Sequence, residues 1–201
     1  EAIHLQAEKH KPKIIIAGGS SYPRQINWER LREIADKIGA ILLADICHYA
    51  GLIAAGVYPS PFPHAHIATA TTNKTLRGPR GAIILWNDNS YTNKINRAVY
   101  PGQRGSPMMN VIAAKAQCFK EALEPSFSTY AQAVIKNAQA MCHVFKEHGL
   151  HVQTGGTDSH IILLNFSTNK YSGKMAADAL EEHNIIVNKN PVPNDPRPLK
   201  E

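Results

Sequence analysis

The first half of the chain alternates short apolar runs with one amphipathic stretch. β-Branched residues fill Ile14–Ala17 and turn formers follow them, so we predict a buried strand that ends in a loop. Apolar residues recur at helical spacing over 28–38, which predicts a helix that Asn27 caps and Gly39 ends. Three more strands are predicted: the continuous apolar segments Ala40–Ala44, which ends at Asp45, and Ala82–Trp86, and the β-rich segment His66–Thr71.

Strands that are apolar on both faces and alternate with helices are typical of a parallel or mixed α/β sheet covered on both sides. Ligands of such sheets bind at the carboxyl ends of the strands. We therefore expect the loop after Ala17, the loop at Asp45 and the loop that holds Asn73 and Lys74 to meet in one crevice.

The second half of the chain has mainly helical periodicity. The predicted elements are helices at Val111–Leu123 and Thr129–Glu147, a strand at Ile161–Phe166, a helix at Lys174–His183 and a strand at Ile185–Val187. This order indicates a second, smaller α+β domain. We place the boundary at Pro125, which divides the chain into 1–124 and 125–201.

Composition favours a globular protein with small anionic ligands. Of 201 residues, 43% are hydrophobic, and 22 basic residues against 16 acidic ones give a net charge of +6. The basic residues are scattered, which argues against nucleic acid as the primary partner. Three widely spaced cysteines indicate neither a disulfide framework nor a metal site, and they fit the reducing cytoplasm.

No apolar run is long enough to cross a bilayer and no signal segment opens the chain, so we expect a soluble protein with no membrane partner. The chain begins at Glu1, and Asn194–Glu201 has the composition of a Pro-rich turn with no closing element. We expect both ends to have been cut from a longer chain.

Asp45 ends one predicted strand, and Lys74 follows just after the next. Pyridoxal phosphate (PLP) chemistry requires a lysine that forms a Schiff base and a carboxylate that keeps the pyridine nitrogen protonated. Asp45 and Lys74 meet both requirements. Spacing alone favours the other interpretation, in which Asp45 is a helix-capping or turn-forming acid and Lys74 is a surface lysine.

The local sequence decides between these interpretations. The stretches that matter are Asp45–Gly56, Pro59–Ser60–Pro61, Ala65–His66 and Thr71–Gly81, with Gly19–Tyr22, Pro101–Gly102, Thr154–His160 and Asn188–Asn190 around them. Together they closely resemble the serine hydroxymethyltransferase family, nearly end to end. The resemblance implies a fold-type-I PLP-dependent transferase: a large domain with a mixed, mostly parallel sheet, and part of a smaller C-terminal α+β domain.

The resemblance also implies an activity in one-carbon metabolism and amino-acid biosynthesis. The expected reaction interconverts serine and glycine with PLP and passes the hydroxymethyl carbon to tetrahydrofolate, forming 5,10-methylenetetrahydrofolate. A homodimer or higher homo-oligomer is expected. Two alternatives stay open: a threonine-aldolase-like PLP enzyme, and a non-catalytic relic or folate- or RNA-binding module of the same fold.

Residue roles follow from the same resemblance. Lys74 would bond the cofactor covalently and Asp45 would pair with its pyridinium nitrogen. Ser20 and His48 would lie beside the cofactor ring, and backbone amides near Gly105 and Ser106 would reach the phosphate of a cofactor held by a partner subunit. The remaining implied residues are Thr71 and Arg80, which would support the lysine loop, and Asn190 on the folate. Arg80 would also keep a released Lys74 neutral by charge repulsion.

Three positions depart from the family pattern. Asn73 replaces the histidine that normally precedes the cofactor lysine, and asparagine cannot exchange a proton near neutral pH. Cys47 replaces an alanine, a small change that we expect to be tolerated. Ser106 replaces a glycine of the phosphate loop, where the adjacent Arg104 offers a compensating charge.

The family's N-terminal part has no counterpart before Glu1, and the arginine that binds the substrate carboxylate falls beyond Glu201, so we expect an incomplete site. Two other side-chain groups suggest different chemistry. His64 and His66 have the spacing of a metal pair on a strand, but no third ligand is near, which favours structural histidines. Ser159 lies between Asp158 and His160 without a nucleophile elbow, so we expect a structural turn.

Overall fold

The structure is a computed structural model that describes residues 1–192, so the Pro-rich turn expected at 194–201 lies outside the described residues. The strands are β1 (Ile14–Gly18), β2 (Ile41–Asp45), β3 (Ile67–Thr71) and β4 (Ala82–Trp86). The helices are α1 (Ala2–His10), α2 (Trp28–Ile38), α3 (Ala50–Ala54), α4 (Thr92–Arg97), α5 (Met109–Ala122), α6 (Pro125–Glu147) and α7 (Gly173–Glu181). None of these helices is both long and apolar enough to cross a membrane.

The four strands form one mixed sheet in the order β1-β2-β3-β4. The first three strands are parallel, and β4 runs antiparallel to β3. Gly18 pairs with Asp45 at one edge of the sheet, and Thr71 pairs with Ala82 there because β4 returns from that edge. The predicted mixed, mostly parallel sheet and its four strands are confirmed. At this edge of the sheet, β1, β2 and β3 end and β4 begins.

Helix α2 has the bounds predicted from its pattern. The Asn27 side chain accepts a hydrogen bond from the Arg30 N–H at 2.9 Å, and Gly39 ends the helix at φ 71°. Trp28, Ile34 and Ala35 are buried on one side of the helix. An N-cap side chain, a glycine in the left-handed conformation at the C-terminus and one apolar face are local signals, and all three indicate the same helix bounds.

We expect Asn27→Ala to lower the free energy of unfolding by about 1 kcal/mol, because the Arg30 N–H loses its side-chain acceptor. Urea denaturation of the purified protein measures the change. Asn27→Ser is the control, since a serine hydroxyl can accept the same bond. Equal stability of all three proteins would contradict the assigned cap.

The core lies on one face of the sheet. Leu42, Ala44 and Ala68 are fully buried there and pack with residues of α2. The other face is open in the described residues, since Ile16 is 71% exposed and Ile84 is 37% exposed. The expectation that both faces are covered is therefore wrong for residues 1–192, where helix packing buries only the first face.

The chain forms two compact units, one of Glu1–Ser20 with Gln25–Ala133 and one of Ser21–Arg24 with the chain from Val134 onward. The helices predicted at Val111–Leu123, Thr129–Glu147 and Lys174–His183 correspond to α5, α6 and α7.

The two strands predicted after α6 are wrong. Residues 161–166 make only an isolated bridge, Leu164 to Val152, because a 3-10 turn begins at Gln153 and stops the ladder. Residues 185–187 are irregular, and Ile186 is 86% exposed. An apolar run becomes a strand only when another strand supplies a continuous ladder of hydrogen bonds, and within residues 1–192 the run at 161–166 has only the backbone bonds around this one bridge.

Candidate active site

The site begins where β1 and β2 end side by side. A Cβ on Gly18 would stand 2.3 Å from the Asp45 carbonyl oxygen and 2.8 Å from the Asp45 Cβ. Only glycine permits this approach of one strand end to the other. The loop that leads to Ser20 therefore starts directly beside Asp45.

Asp45 turns the chain from β2 toward α3. Its half-buried side chain accepts the Cys47 N–H through Oδ1 at 3.0 Å, a local turn that leads to His48. The Cys47 thiol lies in the same turn, where burial and then the Asp45 carboxylate raise its pKa. Asp45 thus forms a turn, as the interpretation of a turn-forming acid requires. It also stands at the end of β2, where a carboxylate that pairs with PLP is expected.

Lys74 and His48 are in direct contact. The Lys74 Nζ lies 2.9 Å from the His48 Nε2, although the residues are 26 positions apart. Burial of the imidazole, and then the Lys74 charge, lower the His48 pKa, against a smaller opposing effect of Asp45. A neutral imidazole can accept a hydrogen bond from an ammonium group. This contact supports the expected meeting of the Asp45 and Lys74 loops.

We expect the His48 imidazole to titrate below 6.5, its ordinary pKa. Because the folded-state pKa is depressed, the contribution of His48 to stability is complete above 6.5 and is lost as the pH falls through the folded-state value. Proton NMR titration of the cofactor-free protein measures it. Lys74→Gln removes the neighbouring charge and should move the His48 pKa upward; a pKa above 6.5 in the unaltered protein would contradict this.

The loop that carries Lys74 is closed by its own backbone. Thr72 is fully buried; its Oγ1 donates to the Pro79 carbonyl at 2.6 Å and its N–H donates to the Gly81 carbonyl at 3.0 Å. The Gly78 N–H returns to the Thr72 carbonyl at 2.7 Å. Arg80, predicted to support this loop, is exposed between two of the bonded carbonyls. Thr72 is therefore the residue that holds the loop closed.

Thr75 joins the lysine loop to the His48 turn. Its hydroxyl accepts the Gly51 N–H at 2.9 Å and donates to the His48 carbonyl at 2.8 Å. A Cβ on Gly51 would stand 2.1 Å from the Thr75 carbonyl oxygen, so α3 lies directly against the loop. By comparison, the predicted support from Thr71 is a long 3.5 Å contact from its Oγ1 to the Cys47 carbonyl.

Helix α5 lies against the same loop. The Cys118 Sγ donates to the Leu76 carbonyl at 3.2 Å, and the Lys115 Nζ donates to the Ala82 carbonyl at 2.9 Å. A Cβ on Gly78 would stand 2.6 Å from the Cys118 sulfur. Sequence reasoning missed these supports, since no local pattern connects α5 with a loop more than thirty positions away.

Comparison with known proteins identifies the family. The family profile described as serine hydroxymethyltransferase matches residues 1–201. The chain belongs to the serine hydroxymethyltransferase family. The resemblance expected from the motifs is confirmed, and with it membership of a family of fold-type-I PLP enzymes.

Individual serine hydroxymethyltransferases match almost the whole chain. The protein from Wolbachia pipientis wMel is 56% identical over 195 residues, which are 97% of this chain and 46% of that protein. The protein from Rhodospirillum centenum is 55% identical over 200 residues, 99% of this chain and 47% of that protein. The protein from Francisella tularensis subsp. mediasiatica is 54% identical over 198 residues, which are 98% of this chain and 48% of that protein. The chain spans about half the length of the curated relatives it matches.

Several residues that the serine hydroxymethyltransferase resemblance assigned stand apart from the Lys74 contacts. Ser20 is exposed just beyond β1. Gly105 and Ser106 are exposed in an irregular segment, with open space around Gly105. Asn190 is exposed in the second unit, and Asn73 is exposed beside Lys74. The roles of these residues stay predictions.

Of the two side-chain groups that suggested other chemistry, His66 and Ser159 make structural hydrogen bonds, and the bond at His64 is to its backbone carbonyl. The His66 Nδ1 accepts the Leu42 N–H at 2.9 Å, and burial lowers its pKa. The Arg32 guanidinium donates to the His64 carbonyl at 2.9 Å. Ser159 is fully buried and donates to the Pro23 carbonyl at 3.2 Å, which makes it the expected turn residue. Within residues 1–192, no three His, Cys, Asp or Glu side chains are grouped to hold a metal ion.

Proposed function

We propose that this chain is part of an enzyme that interconverts serine and glycine with PLP and transfers the hydroxymethyl carbon to tetrahydrofolate, forming 5,10-methylenetetrahydrofolate. The observation that carries the proposal is the 2.9 Å contact of Lys74 with His48 beside the strand edge that ends in Asp45, in a chain of the serine hydroxymethyltransferase family. PLP requires a primary amine that can bond its aldehyde and a carboxylate that can accept from its protonated pyridine nitrogen, and Lys74 and Asp45 supply these groups.

The residues at this edge fit PLP by their chemistry. The exposed Lys74 amine is accessible to an aldehyde, and Asp45 supplies a negative charge at the neighbouring strand end. When bound, PLP accepts the electron pair left by a bond broken at the Cα of an amino acid. Asp45 would hold the proton on the pyridine nitrogen. His48 would offer a neutral ring and a hydrogen-bond acceptor to the Lys74 ammonium group.

The remaining roles are proposed from family membership. Thr71 and Arg80 would support the lysine loop, and Ser20 would bind beside the ring. Backbone amides near Gly105 and Ser106 would bind the phosphate of a cofactor held by a partner subunit, so the proposed assembly is a homodimer or higher homo-oligomer. Asn190 would contact the folate.

The proposed domain division keeps the boundary at Pro125. Residues 1–124 would belong to the PLP-binding large domain, which contains the sheet and the lysine loop. Residues 125–201 would belong to a smaller C-terminal α+β domain. The proposed compartment is the cytoplasm, where three free thiols remain reduced.

Asn73 supports a threonine-aldolase-like activity as the second candidate. This residue cannot supply the proton exchange of a histidine beside Lys74. About 55% identity to curated serine hydroxymethyltransferases favours the first candidate.

One assay separates the two candidate activities. The full-length protein that contains this chain is incubated with PLP and serine, with and without tetrahydrofolate, and glycine and methylenetetrahydrofolate are measured. The proposal predicts formation of both products, with glycine production dependent on folate. Cleavage of threonine with no folate-dependent use of serine would overturn the proposal in favour of the aldolase. Absence of both reactions would overturn the proposal as well.

A further inference from the structure

Arg77 lies in a left-handed backbone conformation three residues after Lys74. Its φ is 59°, and its N–H donates to the Lys74 carbonyl at 2.9 Å, which closes a turn from Lys74 to Arg77. This conformation is unfavourable for a residue with a Cβ and persists only when the surroundings hold it. The shape of the turn therefore depends on contacts that Arg77 makes elsewhere.

Two aromatic rings of α6 provide such contacts. The Arg77 guanidinium carbon lies 4.4 Å from the centre of the Tyr130 ring and 5.3 Å from that of the Phe127 ring. Both distances are within the range of cation–π attraction. The guanidinium is thus held on a pair of rings whose centres lie 6.0 Å apart.

The rings are themselves fixed. Phe127 is only 2% exposed, and the hydroxyl of Ser128, the next residue in sequence, donates at 3.1 Å to the carbonyl of Ala55, just after α3. This first part of α6 is anchored to the same helix, α3, that lies against Thr75. A displacement of Arg77 from the rings would be transmitted to Lys74 through the turn.

We propose that Arg77 is a positioning residue for Lys74, holding the Lys74–Arg77 turn through its contact with Tyr130 and Phe127 and so placing the Lys74 amine against His48. The inference rests on the proposed function in that Lys74 is taken to bond the cofactor. The contacts themselves belong to the chain's own residues.

The test compares Arg77→Ala, Arg77→Lys, Tyr130→Leu and the Arg77→Ala/Tyr130→Leu double variant. PLP affinity is measured by absorbance titration. We expect Arg77→Ala and Tyr130→Leu each to weaken affinity by a factor of about five, the strength of one exposed cation–π contact. The double variant should be no weaker than Arg77→Ala, because that variant already removes the contact with Tyr130. Arg77→Lys keeps a cation near the rings and should lose least.

A second readout does not require the cofactor. In cofactor-free protein, NMR titration of His48 reports whether the Lys74 charge still stands beside it, with Asp45 as the opposing charge. Arg77→Ala should raise the His48 pKa toward its ordinary value. Arg77→Gly removes the ring contact and also relieves the left-handed strain, so it serves if Arg77→Ala does not fold.

The inference would be overturned if folded Arg77→Ala and Tyr130→Leu kept both the His48 pKa and the PLP affinity of the unaltered protein. This holds even if both variants unfold more easily, because Arg77 would then act on stability alone. Additive losses of affinity in the double variant would overturn it too. If the unaltered protein forms no adduct at Lys74, the proposed function fails, while the His48 titration still tests Arg77 independently.

Discussion

Asp45→Asn is expected to reduce the rate of the proposed serine–glycine interconversion by about two to three orders of magnitude, because the carboxylate proposed to pair with the cofactor's pyridine nitrogen is lost. Asparagine has nearly the same shape, and its carbonyl oxygen can still accept the Cys47 N–H that Asp45 accepts at 3.0 Å. The turn into His48 is thus kept while the negative charge is removed. Steady-state kinetics with saturating PLP measure the effect.

Asp88→Asn is the matched control. The Asp88 carboxylate accepts the Ser90 N–H at 2.8 Å, the same bond to the second residue along the chain, but on the surface. This variant should keep its activity. If Asp45→Asn were as active as Asp88→Asn, Asp45 would be only a turn residue and its proposed pairing with the cofactor would be wrong.

Gly51→Ala is expected to disrupt the site through packing alone. The new Cβ would stand 2.1 Å from the Thr75 carbonyl oxygen and 2.7 Å from the Leu76 N, and both are backbone atoms that cannot rotate away. Overpacking of this kind should lower the free energy of unfolding by about 3 kcal/mol. The lysine loop should also move away from α3, separating Lys74 from His48. Thermal or urea unfolding measures the first effect and the His48 titration the second.

Gly173→Ala is the control, because a Cβ there meets no atom within 4 Å and its backbone is not left-handed. It should leave both stability and the His48 pKa nearly unchanged. Equal stability of the Gly51 and Gly173 variants would contradict the tight packing of α3 on the lysine loop.

Much of the first unit was predictable because its signals are local. The bounds of α2 could be predicted from local sequence alone, from Asn27, Gly39 and the apolar spacing between them. The apolar runs likewise predicted four strands, and the strand-end rule predicted that Asp45 and the lysine loop share an edge. The strands expected at 161–166 and 185–187 failed because strand formation depends on a partner, which a local pattern does not specify.

The candidate site was predictable only in part. The motif containing Asp45 and Lys74 identified the family, and the same resemblance predicted His48 as a site residue. The bonds that give the site its shape are long-range: Thr75 to His48 and Gly51, and Arg77 to rings of α6. A threonine and an arginine in a loop have many ordinary uses, so only coordinates reveal which contact each residue makes.

Identifying the lysine that bonds PLP tests directly whether Lys74 is the cofactor lysine. The protein is incubated with PLP, reduced with borohydride and digested, and the modified peptide is sequenced by mass spectrometry. We expect a single reduced adduct on Lys74 and none in the Lys74→Arg variant. No reducible adduct, or an adduct on another lysine, would contradict it.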